Sequence, residues 1–321
     1  MRVPVAQSRF CVEARGLVIA VAGAVAAWAA NAPEACAQVV TLTPVADNTL
    51  FLNVLAPNEL LSNGAGDGLF SGQTYVHASY THRALIRFDV SAVPVGAVIS
   101  AVSLTMTVDR APRFQPDTPV RLHRVTAAWG EGLSSSFGGT GSVSQLDDAN
   151  WYERRNPGVM WTNPGGDFVP TASATKLVGS ATGQYAWDST AALIADVAFW
   201  VSNPASNFGW ILLNDESNIG TTRKFSSRQA SNPALWPQLA ISFSTPATCL
   251  ADVASDSSDE VRNSNGSVGP EDIEAFVNGF VGENASIADV AADSADTVYN
   301  PNGTVGPEDI EAFVNSFIAG C

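Results

Sequence analysis

One segment of this chain is written twice. Asn265–Phe280 reads NGSVGPEDIEAFVNGF, and 37 residues later Asn302–Phe317 reads NGTVGPEDIEAFVNSF, with differences only at Ser267/Thr304 and Gly279/Ser316. The same local signals act in both copies, so both must take one local fold. Pro270 and Pro307 suit the first position of a helix, where the missing N–H would be unpaired anyway. Behind each proline, apolar residues recur at i, i+3, i+4 and i+7: Ile273, Phe276, Val277, Phe280, then Ile310, Phe313, Val314, Phe317. A single helix cannot bury such a stripe, so the two helices are expected to pack on each other with their loops side by side. Ahead of each helix lies an oxygen-rich stretch with a turn glycine, and Asp272 or Asp309 follows two residues after the proline. Oxygen donors, a sharp turn and a carboxylate in that order suit a hard, flexible cation such as Ca2+. The alternative is a metal-free helical hairpin with acidic caps.

Charge marks off the segment that holds the repeat. From Thr245 to Cys321 there are 14 Asp or Glu and one Arg, a net −13, whereas Gln38–Ser244 carries 15 acidic and 12 basic residues. Binding to nucleic acid or to an anionic membrane needs clustered Lys and Arg, and this balance speaks against both. The start of the chain has the form of a secretory leader: Arg2, Arg9 and Arg15, an apolar run Gly16–Ala30, and the small-x-small Ala35-Cys36-Ala37. Residues 1–37 are therefore expected to be removed on export, leaving a secreted, extracellular or surface protein. No stretch has the roughly 20 apolar residues that span a bilayer, so no transmembrane anchor is expected. Cleavage leaves Cys249 and Cys321, which bracket the repeat. In an oxidising compartment they are expected to pair, stabilising the segment by about 4 kcal/mol in the loop-entropy view. Free thiols or an intermolecular bridge are the alternatives.

Between leader and repeat, short apolar runs alternate with turn-forming residues, as β structure requires. Thr49–Val54, Ala84–Val90, Val98–Val108, Val120–Val125, Phe208–Leu213 and Gln238–Phe243 have strand length and composition, and Val102, Leu104, Met106 and Val108 alternate with polar residues. About 200 residues with this spacing suit a β-sandwich or jelly roll. Ser189–Trp200 is the exception: Leu193, Val197 and Trp200 fall at helical spacing behind a capping Ser or Thr. The expected organisation is a leader (1–37), a mainly β domain (38–245) and a small all-α unit (246–321).

Four motifs in order, Ala46-Asp47-Asn48-Thr49, Ala84–Val90 (ALIRFDV), Val120–Val125 with Trp129-Gly-Glu-Gly132, and Arg223–Arg228 (RKFSSR) with Asn232-Pro233, make the region Val45–Phe243 resemble the DNRLRE domain. That resemblance implies a secreted β-sandwich related to modules that bind acidic or neutral polysaccharides. The duplicated tail, ending in Gly-Cys, resembles a GC-type dockerin, a pair of EF-hand-like calcium loops each followed by a helix. In dockerins an Asp-Val pair runs directly into Asn-x-Asp/Asn-Gly; here nine residues separate Asp252-Val253 from Asn263–Gly266, and nine separate Asp289-Val290 from Asn300–Gly303. The resemblance implies two Ca2+ sites. The first would use Asp252, Asn263, Asn265, the Ser267 carbonyl and Asp272, the second Asp289, Asn300, Asn302, the Thr304 carbonyl and Asp309. Asp256 or Asp259, and Asp293 or Asp296, are alternatives for the first ligand of each set. Pro270-Glu271 and Pro307-Glu308 stand where cohesin-binding dockerins carry small hydroxyl residues, which speaks against a cohesin. A cell-surface or scaffold protein is the expected partner.

Catalytic signatures are thin. His77, His82 and His123 lie in no triad or metal motif, no GxSxG or HExxH occurs, and the carboxylate pairs Asp147-Asp148 and Asp215-Glu216 have the look of turn residues. No catalytic residue is assigned. Trp129, Trp151 and Trp161 lie in a polar, loop-like stretch beside Arg154 and Arg155. Their rings suit stacking on sugar faces, with the arginines on carboxylates or hydroxyls, and they equally suit plugging an open end of the sandwich. The first reading expects Trp→Ala changes to abolish polysaccharide retention without unfolding. The expected protein is a non-catalytic polysaccharide-binding or surface module. A dockerin-bearing glycoside hydrolase or lyase and a structural adhesion or matrix protein are the alternatives.

Overall fold

The computed structural model describes residues 7–10 and 37–319, apart from 57–58, 75–79, 114, 137, 245–249, 265–267 and 297–298. The apolar run Gly16–Ala30, both late cysteines, His77, Asn265 and Ser267 lie outside the described residues. The chain divides into two compact units, one taking in Gln38–Phe243 and the other Ser244–Cys321. No helix among the described residues is long and apolar enough to cross a membrane.

The first unit is mainly β and antiparallel. Its longest strand, Val98–Arg110, buries Val102, Leu104, Met106 and Val108 on one face. It pairs with Gly183–Trp187 and Arg223–Ser226 and lies beside Gln238–Ser244. A second set of strands runs in the order Ala174–Val178, Thr118–Arg124, Trp210–Leu213, Tyr80–Phe88, Pro44–Asn53. Side chains from both sets share one core, in which Val102, Leu104, Ile86, Leu122, Trp210 and Phe225 are fully buried. The strand Gly68–Gln73 belongs to both sets: its first four residues pair with Arg223–Ser226, while Gly72 and Gln73 pair with His82 and Thr81. Gly72 makes this change of partner possible. Its φ is 112°, and a Cβ there would come within 2.8 Å of the Thr221 carbonyl.

Helix α1 (Ala191–Ser202) starts where the Thr190 hydroxyl accepts a hydrogen bond from the Leu193 N–H at 3.0 Å. It buries Leu193, Val197 and Trp200 against the core, with the Trp200 and Trp210 rings edge to face at 4.5 Å. Asp196 is buried as well, and accepts from the Ser173 hydroxyl at 2.6 Å and the Trp210 indole N–H at 2.8 Å.

The second unit contains α2 (Pro270–Val281), the single turn α3 (Ala285–Ala288) and α4 (Pro307–Ala319). Phe276 of α2 stacks on Phe313 of α4, 4.0 Å between ring centres and 11° from parallel. Around this pair cluster Leu250, Val253, Ile287 and Val290. The helix pairing expected from the stripes is thus present, but the tight core lies on one side of each stripe.

Candidate functional sites

In the second unit, the loops before α2 and α4 are built alike. The Asp272 carboxylate accepts from the Val253 and Ala254 N–H groups at 2.8 and 2.9 Å with one oxygen, and from Gly269 N–H at 2.8 Å with the other. Asp309 does the same with Val290, Ala291 and Gly306 at 2.7–2.9 Å. Both are fully buried. Each carboxylate therefore caps its helix and pins the preceding Asp-Val-Ala segment, with the positive end of the helix favouring its charge. Asp289 accepts from the N–H groups of Asn302 and Gly303 at 2.9 and 2.6 Å, and Asp252 is equally buried.

The nine-residue insertions close at their ends. Asn263 N–H donates to the Val253 carbonyl at 2.9 Å, and Asn300 N–H to that of Val290 at 3.0 Å, so chain leaves and returns at one point. Asp259 and Asp296 close the turns, accepting from Ser255 and Asp256, and from Ala292 and Asp293. Those backbone N–H groups hold both carboxyls below the usual range; the Ser258 hydroxyl and N–H do so for Asp256. In spite of the insertions Asp252 stays beside Ser264, whose hydroxyl donates to its carbonyl, and Asp289 beside Asn302, while the side-chain amides of Asn263 and Asn300 turn to Asp259 and Asp296. Asn302 itself turns its side-chain oxygen to the N–H and hydroxyl of Thr304 at 2.9 and 2.6 Å. Among the described residues no cluster of three His, Cys, Asp or Glu side chains is arranged to hold a metal. The ligand sets carried over by resemblance draw on Asn and backbone oxygens as well.

In the first unit the tryptophan platform needs correction. Trp129, Trp151 and Trp161 are 2, 8 and 4 % exposed and pack with Leu50, Leu85 and Ile211. Those three residues sit on the second strand set, on the opposite face from the main core, so the segments around Trp129, Trp151 and Trp161 lie over a sheet that would otherwise expose apolar side chains. The indole N–H of Trp129 donates to the Phe208 carbonyl and that of Trp161 to Asn150, both at 2.8 Å. The Arg83 guanidinium lies over Trp151, 4.7 Å from the ring centre. Arg154 donates to the Ala128 carbonyl and Arg155 pairs with Asp147, each at 2.7 Å. No ring face is open to a sugar, and both arginines hold the cover in place. Trp161→Ala is therefore expected to cost about 3 kcal/mol of stability, read as a lower urea midpoint. A fully stable variant would reverse this placement.

A polar network that the sequence did not single out as a site joins three of the quoted motifs. Glu131 accepts from the Asp47 N–H at 2.9 Å and from both ends of the Arg228 guanidinium, and Arg228 N–H donates to Asp47 at 2.8 Å. Asn48 donates to the Glu131 and Ala149 carbonyls, and its oxygen accepts from Ser62 and Asn63. The ordered recurrence of short polar motifs far apart in the chain was the available signal. Burial pushes the Asp47 carboxyl up to about 8, with Glu131 adding to the rise and hydrogen bonding from Arg228 opposing it. An unfolded chain loses this proton near the ordinary 3.8. From pH about 4 to about 8 the folded state thus holds more protons, and its stability falls as pH rises. Asp47→Asn is expected to flatten that slope in denaturant midpoints taken across the range; an unchanged slope would show the group titrates normally.

The remaining polar candidates are engaged in structure. His123 contacts the Val169 carbonyl at 2.9 Å through Nδ1 and lies edge-on to Phe168, and burial is the main cause of its lowered pKa. Glu216 pairs with Arg83 at 2.7 Å, Asp215 accepts from Ser217 and Asn218, and Asp148 accepts from Gln145.

One open cleft of about 260 Å³ does combine apolar and polar groups, with Phe70, His82, Arg110, Thr222 and Lys224 on its walls. Lys224 is neutralised by Asp109 and Asp67 at 2.7 and 3.1 Å. Arg110 is exposed and makes no ion pair among the described residues. The His82 Nδ1 and the Thr222 hydroxyl oxygen are buried and have no hydrogen-bond partner. Burial drives His82 down to about 3, so its imidazole is neutral, wedged edge-on against Phe51 and Phe70. His82 and Phe70 are buried behind the cleft, and the exposed Arg110 guanidinium is the group it offers to solvent. No protein-family model matches the chain, and no curated protein matches it.

Proposed function

We propose that this is a secreted, non-catalytic polysaccharide-binding protein: a β-sandwich of the DNRLRE kind tethered through a calcium-dependent, dockerin-like C-terminal unit. The cleft at Arg110 carries the binding half of the reading. It offers an exposed guanidinium for a carboxylate or hydroxyl beside the half-buried apolar surface of Ala111 and Pro112. The test is retention on polysaccharide affinity gels together with a reducing-end assay. Retention without turnover is expected, and Arg110→Ala is expected to release the protein while leaving its melting temperature unchanged. Turnover would favour a hydrolase or lyase, and no retention on any gel a structural role.

Two features support the calcium half. Asp252 and Asp272, and in the second loop Asp289 and Asp309, are buried ahead of or in the first turn of the two helices, and the N–H groups of Asn263 and Asn300 return to the carbonyls of Val253 and Val290, one residue beyond Asp252 and Asp289. In each loop, Asp252 or Asp289 with Asn263 or Asn300 would hold the ion. Asp272 and Asp309, already committed to three N–H groups each, retain lone pairs for it. With neutral Asn at two positions per loop, affinity falls in the micromolar to millimolar range of extracellular sites. Calorimetric titration is expected to show two Ca2+ per chain and a lower melting temperature in EDTA; no heat and no shift would remove calcium from the account.

A further inference from the structure

The two helices of the C-terminal unit leave an apolar groove uncovered. Ile273, Val277 and Val281 of α2 face Ile310, Val314 and Ile318 of α4 across a channel of about 380 Å³, floored by the stacked Phe276 and Phe313. Val281 is 77 % and Ile318 68 % exposed, and the other four are each more than 40 % exposed. Among the described residues no polar side chain lines the channel. A contiguous apolar face of this kind marks an interaction surface, and the trough between two packed helices accepts the ridge of a third.

Charge selects the occupant. Glu274 precedes Val277 and Val281 by three and seven residues and so lies along the outer edge of that stripe; Glu311 holds the same place beside Val314 and Ile318. Both are exposed, and α2 and α4 carry six carboxylates and no Lys or Arg. A second copy of the chain would bring these acidic shoulders, and the net −13 of its own Thr245–Cys321 segment, against their own kind. The geometry points to an amphipathic helix of another protein, its apolar stripe bordered on both sides by Lys or Arg, seated between α2 and α4. This rests on the tethering role proposed above and names the surface and the partner chemistry that role would use. The near identity of the two helices lets the partner helix lie in either direction.

The probe is a synthetic helical peptide with Leu at i, i+3, i+4 and i+7 and Lys at the flanking positions, read by fluorescence anisotropy against the full chain and against the chain from Gln38. Binding to both is expected. Val277→Glu with Val314→Glu is expected to weaken it about tenfold or more, and Glu274→Lys with Glu311→Lys to transfer the preference to a Glu-flanked version of the peptide. Circular dichroism checks that each variant keeps its helices. No binding, equal binding of both peptides to the unaltered chain, or insensitivity to the Val277/Val314 pair would overturn the proposal. So would a concentration-dependent dimer in sedimentation that the same pair abolishes, which would assign the groove to a second copy. Binding only after loss of residues 1–37 would assign it to the chain's own leader. Calcium uptake and gel retention measured on the same variants separate failure of the groove from failure of the function proposed above.

Discussion

Replacing Arg223 with leucine is expected to lower the melting temperature of the β unit by about 10–20 °C. Arg223 is fully buried, and among the described residues its guanidinium makes no ion pair. It donates instead to the carbonyls of Pro116, Val178, Gly179, Thr221 and Thr222 at 2.8–3.4 Å. Burial lowers its pKa, and Tyr185 and Asp117 oppose that shift, but a guanidinium stays protonated in either case. Leucine would fill part of the space and remove that donor from all five carbonyls, of which Thr221 keeps a bond from Asn214. At about 1–3 kcal/mol for each orphaned group, with some relaxation, the loss comes to about 5 kcal/mol. Lysine is expected to recover little, because one ammonium cannot reproduce the planar fork that reaches chain segments on both sides. A leucine variant within 1 kcal/mol of the parent in urea would mean that water reaches these carbonyls.

Asp272→Ala, or its twin Asp309→Ala, is expected to unfold the C-terminal unit while the β unit still melts as before. Each substitution removes the acceptor for three backbone N–H groups in a buried place. Charge-assisted bonds of this type contribute about 1.5–3 kcal/mol each, and a unit this small has only a few kcal/mol of stability to lose. Helical circular dichroism is expected to fall in calcium as well as in EDTA, because the carboxylate caps the helix and holds the preceding segment whether or not an ion is bound. Asn at either position keeps one acceptor oxygen and should fall between parent and alanine. Full recovery of Asp272→Ala by added calcium would mean that the carboxylate serves the fold only through the ion.

How well an element could be read followed from how local its cause was. The strands Val98–Arg110 and Gln238–Ser244 were legible because alternation of apolar and polar residues reports one buried face. Arg223–Ser226 was not, since RKFS has no such alternation: all four residues are buried, two of them charged and satisfied by distant carbonyls and carboxylates. Gly68–Gln73 was missed for a related reason, as a strand that changes partners at a glycine carries no single periodicity. Helix α1 was expected from Ser189 and begins at Ala191, the cap being Thr190.

The tryptophans show the limit most plainly. Composition around Trp129, Trp151 and Trp161 described a polar loop, and the residues that bury them, Leu50, Leu85 and Ile211, lie 44 to 111 positions away. Nothing local could report that the outer face of a sheet needed covering. The cleft at Arg110 was invisible for the same reason: Phe70, His82, Arg110 and Thr222 converge only when strands distant in sequence are laid side by side.

By itself, then, the sequence determined the alternating strands, the capped helix and the twin loop-and-helix units, because period, caps and turns act between residues a few positions apart. Tertiary structure alone decided which side chains are covered and which remain open. It turned three tryptophans inward, gathered Asp47, Glu131 and Arg228 into one network, and left one flank of each amphipathic stripe bare, since burial depends on what the rest of the chain places against a surface.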